Sequence, residues 1–409
     1  MNQRHDGEID LALRVRAKQA IPGGMYGHHQ NAAPLPEGYP QFFARATGCH
    51  VWDVDGREYV DLMCSWGPVL LGHHHAGVDA AYQRQAALGV SMNGPAPALV
   101  ELAETLVDRI AHADWALFQK NGTDATTTCV TIARAGTGRR KILVAQGSYH
   151  GAVPWCSPSL VGVTTEDRAH VIQYQYNDIA SLNAAVQEAG TDLAAILVTA
   201  FRHDIGRDQE MPTIEFAKAL RAAATAADAA LILDDVRAGF RLHAAGSWEA
   251  LGVRPDLSAF SKGIANGYPL AAVTGNERFR EGAARIYVTG SFWCEAPPMA
   301  AAIATLQETK ASNTIAHLVA MGQRLRDGLA KLSDQAGIGI RQTGPVQMPM
   351  VLFDDDADNA KGRRFCAATL RAGAYFHPRH NMFLSAAHQP EDIDKALSAA
   401  AAGFEALAG

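Results

Sequence analysis

Lys262 closes a short apolar run, Leu257-Ser-Ala-Phe-Ser-Lys262, and is followed by a glycine-containing loop, Gly263-Ile-Ala-Asn-Gly-Tyr-Pro269. A lone lysine in that setting reads as a reactive amine rather than a surface charge. Kept from water and near another cation, an amine gives up its proton more easily and becomes nucleophilic enough to form an imine with an aldehyde. Asp234 lies 28 residues earlier, where the strand-like run Leu231-Ile-Leu ends in Asp234-Asp235. A carboxylate and an amine at neighbouring strand ends can hold opposite sides of a flat cofactor ring, while Asp235 is expected to brace neighbouring loops.

Two further segments fit the same chemistry. Gln119-Lys-Asn-Gly-Thr-Asp-Ala125 follows a predicted strand and opens a predicted helix. Gly122 allows close backbone approach, and Asn121 and Thr123 present donors at the positive helix end, which together suit a phosphate. Alone the segment is also an ordinary turn with a helix cap. Gly147-Ser-Tyr-His-Gly151 follows the next predicted strand, so the Tyr149 ring could stack on a flat cofactor. By themselves Tyr149 and His150 read equally as a structural aromatic and a hydrogen-bonded loop residue.

The elements that must position these groups are legible as buried runs. Candidate strands are Ala116–Gln119, Lys141–Ala145, Val171–Tyr174, Ala195–Val198, Ala230–Asp234, Leu257–Ser261 and Ala271–Thr274, separated by Ala-rich helical stretches. Seven such runs predict an α/β fold, with a mostly parallel seven-stranded sheet flanked by helices and ligands beyond the strands' carboxyl ends. Before it, a leading helix over about Asp10–Ala20 and an alternating stretch, Phe42–Met63, around the turn Asp55-Gly56 predict a small antiparallel meander. After Pro298 one long helical stretch is expected to about Leu332, then a mixed tail ending in a helix from about Pro390. The expected division is residues 1–70 as N-terminal segment and meander within a smaller α+β domain, 71–310 as the large cofactor domain, and 311–409 as the rest of the smaller one.

Composition narrows the classes. The 409 residues are 48% hydrophobic and 19% charged with a formal net charge of −6, ordinary for a globular chain and without a basic field for nucleic acid or anionic lipid. The six cysteines lack paired spacing, so free thiols in a reducing cytoplasm are expected. The opening residues are polar, with neither an export leader nor a membrane span in prospect. Sixteen histidines include His28-His29 and His73-His74-His75, but consecutive histidines do not converge easily on one ion, and no metal is expected.

The order of these motifs resembles the class III aminotransferases, pyridoxal-phosphate enzymes of fold type I, and most of all their glutamate-1-semialdehyde aminomutase branch. The resemblance extends over Pro22-Gly-Gly, Trp52-Asp-Val-Asp-Gly56, Ser65-Trp-Gly-Pro68, Gly72-His-His-His75, Ala133-Arg-Ala-Gly-Thr-Gly138 and Ser385-Ala-Ala-His-Gln-Pro-Glu-Asp-Ile393. It implies a transaminase with pyridoxal 5'-phosphate as cofactor and Lys262 as the Schiff-base lysine. Asp234 would pair with the pyridine nitrogen, Tyr149 and Val236 would cover the ring faces, and Asn121, Gly122 and Thr123 would hold the phosphate, with His150 beside them. Ser291 stands where the family usually has a threonine that reaches the phosphate from the neighbouring subunit, which implies a homodimer with shared sites.

Departures from the family pattern bear on the substrate. Gly27 and Gln30 occupy the places of a serine and an arginine that hold the substrate carboxylate in the aminomutase branch, and Thr199-Ala200 replaces a Glu-Pro pair. Arg237, where a small residue is usual, could bind a carboxylate with Arg202 and Arg379, although such arginines are more often paired structurally. Tyr26 and Trp66 are candidate walls of the substrate pocket. The expected reaction moves an amino group from an amine or ω-amino compound to a keto acid, pyruvate or 2-oxoglutarate. The alternatives are an aminomutase or racemase acting within one molecule and, more remotely, a non-catalytic cofactor-binding protein.

Overall fold

The computed structural model describes residues 7–30 and 34–408; the polar opening residues 1–6 lie outside the described residues. The chain divides into two compact units, one of Met1–His75, Ile205–Asp208 and Ala316–Gly409, the other of Ala76–Asp204 and Gln209–Ile315.

The first unit opens with α1 (Glu8–Ala20), with Glu8 and Asp10 in the first turn and Lys18 in the last, each at the end of the helix dipole that favours its charge. Asp10 is buried because its Oδ1 accepts from the backbone N–H groups of Gln41 and Phe42, while Arg14 pairs with it at 2.6 Å. The predicted meander follows as β1 (Phe43–Thr47), β2 (His50–Asp53) and β3 (Glu58–Asp61), each antiparallel to the next. Asp53 shapes the hairpin turn by accepting from the N–H groups of Asp55 and Arg57.

The second unit carries α2 (Ala76–Leu88), α3 (Pro97–Arg109), β4 (Trp115–Gln119), α4 (Gly122–Thr137), β5 (Lys141–Ala145), β6 (Val171–Tyr174), α5 (Ile179–Ala189) and β7 (Leu193–Thr199). It continues with α6 (Ile214–Ala226), β8 (Ala230–Asp234), β9 (Leu257–Phe260), β10 (Ala271–Gly275), α7 (Arg280–Arg285) and α8 (Ala296–Ala311). All seven predicted runs form one sheet, ordered β4-β10-β9-β8-β7-β5-β6, in which β10 runs against the others. Every residue of β7 and β8 is buried, as expected of strands covered on both faces. Helix starts are set by local chemistry: the side chains of Asn121, Asp178 and Thr213 accept from N–H groups of the first turns of α4, α5 and α6. Helix α4 packs on the sheet through Ala125, Cys129, Ile132 and Ala133, against Ile142, Leu197, Ile232 and Ala259 among others.

The helical stretch after Pro298 is two helices, α8 and α9 (Thr314–Ala336), rather than one. Asn313 takes a left-handed conformation, φ 50°, between them, which ends α8 at a place where periodicity alone shows no break. The chain then returns to the first unit with β11 (Ile340–Thr343), β12 (Met350–Phe353), α10 (Ala360–Arg371), β13 (Ala374–Tyr375) and α11 (Pro390–Ala408). Strand β13 joins β3 in parallel, extending the meander to the order β1-β2-β3-β13.

Candidate active site

In the second unit, β4 and β9 both run opposite to β10, so the carboxyl ends of β4, β5, β8 and β9 lie on one edge of the sheet. The loops leaving that edge carry Asn121–Thr123, Gly147–His150, Asp234–Arg237 and Lys262.

Asp234, 7% exposed, is the best-braced group there. His150 Nδ1 donates to its Oδ2 at 2.7 Å, and the N–H of Val236 donates to its Oδ1 at 3.1 Å. His150 is itself fixed, since Thr126 Oγ1 donates to its carbonyl at 2.6 Å. With Nδ1 as donor, His150 Nε2 is buried without a hydrogen-bond partner, as is Thr199 Oγ1 on the residue paired with Asp234 across β7 and β8. Asp235 turns the other way, accepting from Ser247 N at 2.8 Å and Ser247 Oγ at 2.5 Å. Burial raises its carboxyl to about 6 against those two hydrogen bonds, with Asp234 adding to the rise. It braces the turn that carries Val236 and Arg237.

Lys262 opens a short 3-10 turn in the left-handed region, φ 46°, immediately after β9. Burial, then the guanidinium charges of Arg237 and Arg241, lower its ammonium to about 7, with Asp234 pulling the other way. At neutral pH a substantial fraction of the amine is therefore unprotonated, the state that attacks a carbonyl.

The N-terminus of α4 is packed too closely for side chains at its glycines. A Cβ on Gly122 would meet Val236 Cγ1 at 2.7 Å, and one on Gly151, φ +132°, would meet Thr123 Oγ1 at 2.6 Å. These contacts hold the first-turn N–H groups and the Thr123 hydroxyl at a positive helix end, where phosphate binds well. Tyr149 is 45% exposed, so its ring is open to a partner, and burial of the rest of the side chain raises its hydroxyl. Val236 is half-buried against the sheet core. A helix terminus for phosphate, a braced carboxylate, an amine of lowered pKa, an open aromatic and an unpartnered buried imidazole nitrogen together fit a phosphorylated pyridine aldehyde.

The remaining expected residues differ in their surroundings. Ser291 is exposed, in a segment that also exposes Tyr287 (93%) and Phe292 (63%). Arg237 is half-buried, its guanidinium influenced by Asp234, Tyr149 and Asp204 after burial has lowered it to about 10. Arg202 pairs with Asp204 at 2.8 Å, the structural pairing that is the commoner case for such an arginine. Arg379 accepts the N–H of Gly206 on its carbonyl at 2.7 Å.

The first unit holds Tyr26 and Trp66. Tyr26 is 69% exposed and precedes a 3-10 turn over Gly27–His29, while Trp66 is half-buried. Its backbone is unusual: Cys64, Ser65, Trp66 and Gly67 have φ of 46°, 54°, 66° and 102°. Left-handed conformation costs a non-glycine residue roughly 1–2 kcal/mol, so three in a row require strong bracing. Asp61 supplies part of it, accepting from Met63 N and Cys64 N through Oδ1 and bonding His73 Nε2 through Oδ2 at 2.8 Å. Gly67 is obligatory, because a Cβ there would meet the Phe383 ring at 2.8 Å. Trp66 forms one wall of a 440 Å³ cavity that also includes Met25, His29, Phe43, Met63 and Tyr375.

One donor set escaped sequence reasoning. Cys49, His50 and Asp392 place one ligand atom each within 4.8 Å of one another, with His50 Nε2 3.0 Å from Asp392 Oδ1. The separation of 342 residues between His50 and Asp392 leaves no spacing signal to find them by.

The family model of the class III aminotransferases matches residues 36–399, and the chain belongs to that family. It is a pyridoxal-phosphate-dependent transaminase with the fold type I architecture of those enzymes. Its relatives include an aminopentol aminotransferase of Sphingopyxis macrogoltabida, 47% identical over 402 residues that cover 98% of this chain and 95% of that protein. A 3-aminobutyryl-CoA aminotransferase of Cloacimonas acidaminovorans is 31% identical, with 94% and 93% covered. Among solved structures, the pyridoxal-phosphate internal aldimine form of the FumI protein of Sphingopyxis sp. MTA144 superposes with a TM-score of 0.97 at 47% identity, covering 98% of this chain and 97% of that one.

Proposed function

We propose that Lys262 is the amine that links to the cofactor aldehyde, with Asp234 at the pyridine nitrogen, Tyr149 and Val236 on the ring faces, and Asn121, Gly122 and Thr123 at the phosphate. The observation that carries this is the joint placement, on one sheet edge, of an amine lowered to about 7 and a carboxylate held by His150 at 2.7 Å. When bound, the cofactor supplies an electron sink for charge left at the substrate carbon. Asp234 would hold the pyridine nitrogen in its protonated form, an opposite-charge effect of roughly 1–3 pKa units at close range, and His150 holds that carboxylate in orientation. Lys262 Nζ would hold the proton taken from the substrate Cα and give it up again, general acid–base work typically worth about 10²–10⁴-fold.

The donor is an amine or ω-amino compound and the acceptor a keto acid, pyruvate or 2-oxoglutarate. Gly27 and Gln30 in place of a carboxylate clamp disfavour a small α-amino acid donor, and the relationship to an aminopentol aminotransferase supports a hydroxylated amine. Tyr26, Trp66 and Arg237 contact substrate, Arg237 on the carboxylate side. The exposed Tyr287 and Phe292 around Ser291 support a homodimer in which Ser291 reaches the phosphate across the interface. Residues 71–310 form the cofactor domain and both termini the smaller one. Six free thiols and no helix, among the described residues, long and apolar enough to cross a membrane are compatible with the cytoplasm as the working compartment.

A donor and acceptor panel tests the reading. Purified holoenzyme should convert an amine to its carbonyl product only when pyruvate or 2-oxoglutarate is supplied, with the matching amino acid formed in equal amount. Sustained conversion of a single compound without a keto acid would sink it in favour of an aminomutase or racemase.

A further inference from the structure

In the first unit, three side chains from opposite ends of the chain converge where β2 meets the start of α11. Cys49 directly precedes β2, His50 is its first residue, and Asp392 stands in the first turn of α11. One ligand atom from each lies within 4.8 Å of the other two. Zinc bonds of about 2.0–2.3 Å hold ligand atoms roughly 3–4 Å apart, so the set closes on one ion with shifts of about 1 Å.

The His50 ring stands between two carboxylates. Nε2 is 3.0 Å from Asp392 Oδ1, and Nδ1 is 3.0 Å from Glu58 Oε1. A neutral imidazole carries one N–H and can donate to only one of them. With the hydrogen on Nε2, Nδ1 is a buried acceptor that faces a carboxylate and makes no hydrogen bond. With the hydrogen on Nδ1, Glu58 is satisfied and the Nε2 lone pair points at Asp392, a clash that a cation between them resolves. A carboxylate on the far nitrogen is the usual second partner of a metal-binding imidazole. A second proton on the ring would also satisfy both carboxylates; the neighbouring thiol is what favours a metal.

Cys49 is 3% exposed, and burial followed by the Asp392 charge raises its thiol. As a thiol it can only donate weakly to Asp392, whereas as a thiolate it is a soft ligand that suits zinc and not magnesium or calcium. Thiolate, neutral imidazole and carboxylate together cancel the charge of a divalent ion. Asp392 Oδ2 already accepts from Gln389 N at 3.1 Å, which leaves Oδ1 to the site. Lys395 Nζ, 3.5 Å from Oδ1, belongs to a side chain 62% exposed that can turn to water.

We propose that Cys49, His50 and Asp392 bind one zinc ion, with water in its fourth position and Glu58 holding the His50 tautomer. Binding displaces the Cys49 proton to solvent. The ion ties β2 to α11 across the 342 residues between His50 and Asp392 and uses none of the residues assigned to the cofactor.

The test uses the holoenzyme, treated with a chelator and then dialysed against about 1 μM free zinc, well above the dissociation constants of structural zinc sites. Metal analysis should find one zinc per chain, and the thermal midpoint should rise because the ion binds the folded chain. Cobalt in place of zinc should add the visible bands of a tetrahedral ion to the spectrum of the holoenzyme. Cys49→Ser and Asp392→Asn should lose the zinc and the cobalt bands while transaminating at the parent rate in chelator, which shows that they fold. Glu58→Gln, at a side chain 52% exposed, should bind zinc roughly 10–100-fold more weakly. No zinc in the parent enzyme, a full equivalent retained by Cys49→Ser, or unchanged affinity in Glu58→Gln would each overturn the proposal.

Discussion

Two regions of this chain are built on opposite principles. Around Lys262 and Asp234 the reactive groups leave buried, regular strands and are held by short hydrogen bonds, as with His150 on Asp234 and Ser247 on Asp235. Around Trp66 the backbone itself is forced, three consecutive non-glycine residues lying at positive φ and held there by Asp61 and a ring-packed glycine. The first arrangement fixes charges, which a shared cofactor chemistry requires. The second fixes the shape of a surface beside a 440 Å³ cavity, a size that suits a small molecule.

Substitutions should separate the two regions. The largest effect is expected for Lys262→Ala, which should abolish the visible band of the bound cofactor and reduce transamination by at least about 10²–10⁴-fold, measured by steady-state turnover and absorbance. Retention of an unchanged band would remove Lys262 from its role. Asp234→Asn should retain cofactor but lower kcat by roughly 10–10³-fold, the loss of 1–3 pKa units of support for the protonated ring nitrogen. Trp66→Ala should instead leave the band in place and raise KM for the amine by about tenfold, with KM for the keto acid the less affected; equal effects on both would erase the contrast between the regions.

Smaller shifts sharpen the same comparison. Burial, Arg237 and Arg241 lower Lys262 to about 7, so capture of added cofactor by apoenzyme should accelerate as pH rises through that value and the amine loses its proton. Arg237→Met removes one repelling cation, favours the ammonium form, and should move that midpoint upward by up to about one unit. In the unfolded chain the same lysine titrates near 10.4, so this group's contribution disfavours the folded apoenzyme at low pH and the penalty is relieved as pH rises from about 7 toward 10.4. The smallest effect is expected for Ser65→Gly. Relief of roughly 1–2 kcal/mol of left-handed cost, offset by about 0.5–1 kcal/mol of added chain entropy, should raise the thermal midpoint slightly. A lowered midpoint would mean that the serine side chain contributes more than its backbone conformation costs.

Much of the second unit was legible because its signals are local. A run such as Ala230–Asp234 is apolar because both faces are covered, and its end is marked by the first carboxylate. The seven strands therefore emerge within one or two residues of their expected bounds. The helix after Pro298 was read as one because its break depends on the conformation of a single residue, Asn313, and not on a change of periodicity. For Arg202 the sequence allows a carboxylate contact as well as the commoner structural pairing, because nothing in the spacing reveals that Asp204, two residues on, folds back onto it.

What the sequence alone determined is the set of reactive groups: an amine, a carboxylate, a helix start suited to phosphate and an aromatic, each tied to its own strand end by neighbouring residues. What only the tertiary structure decided is which groups meet. His150 reaches Asp234 across 84 residues because β5, β7 and β8 are adjacent in the sheet. Trp66 meets His377 and His380, more than 300 residues away, because β13 returns beside β3. Local sequence sets conformation over a few residues, whereas partnership over hundreds is set by strand order and by the burial that strand order makes possible.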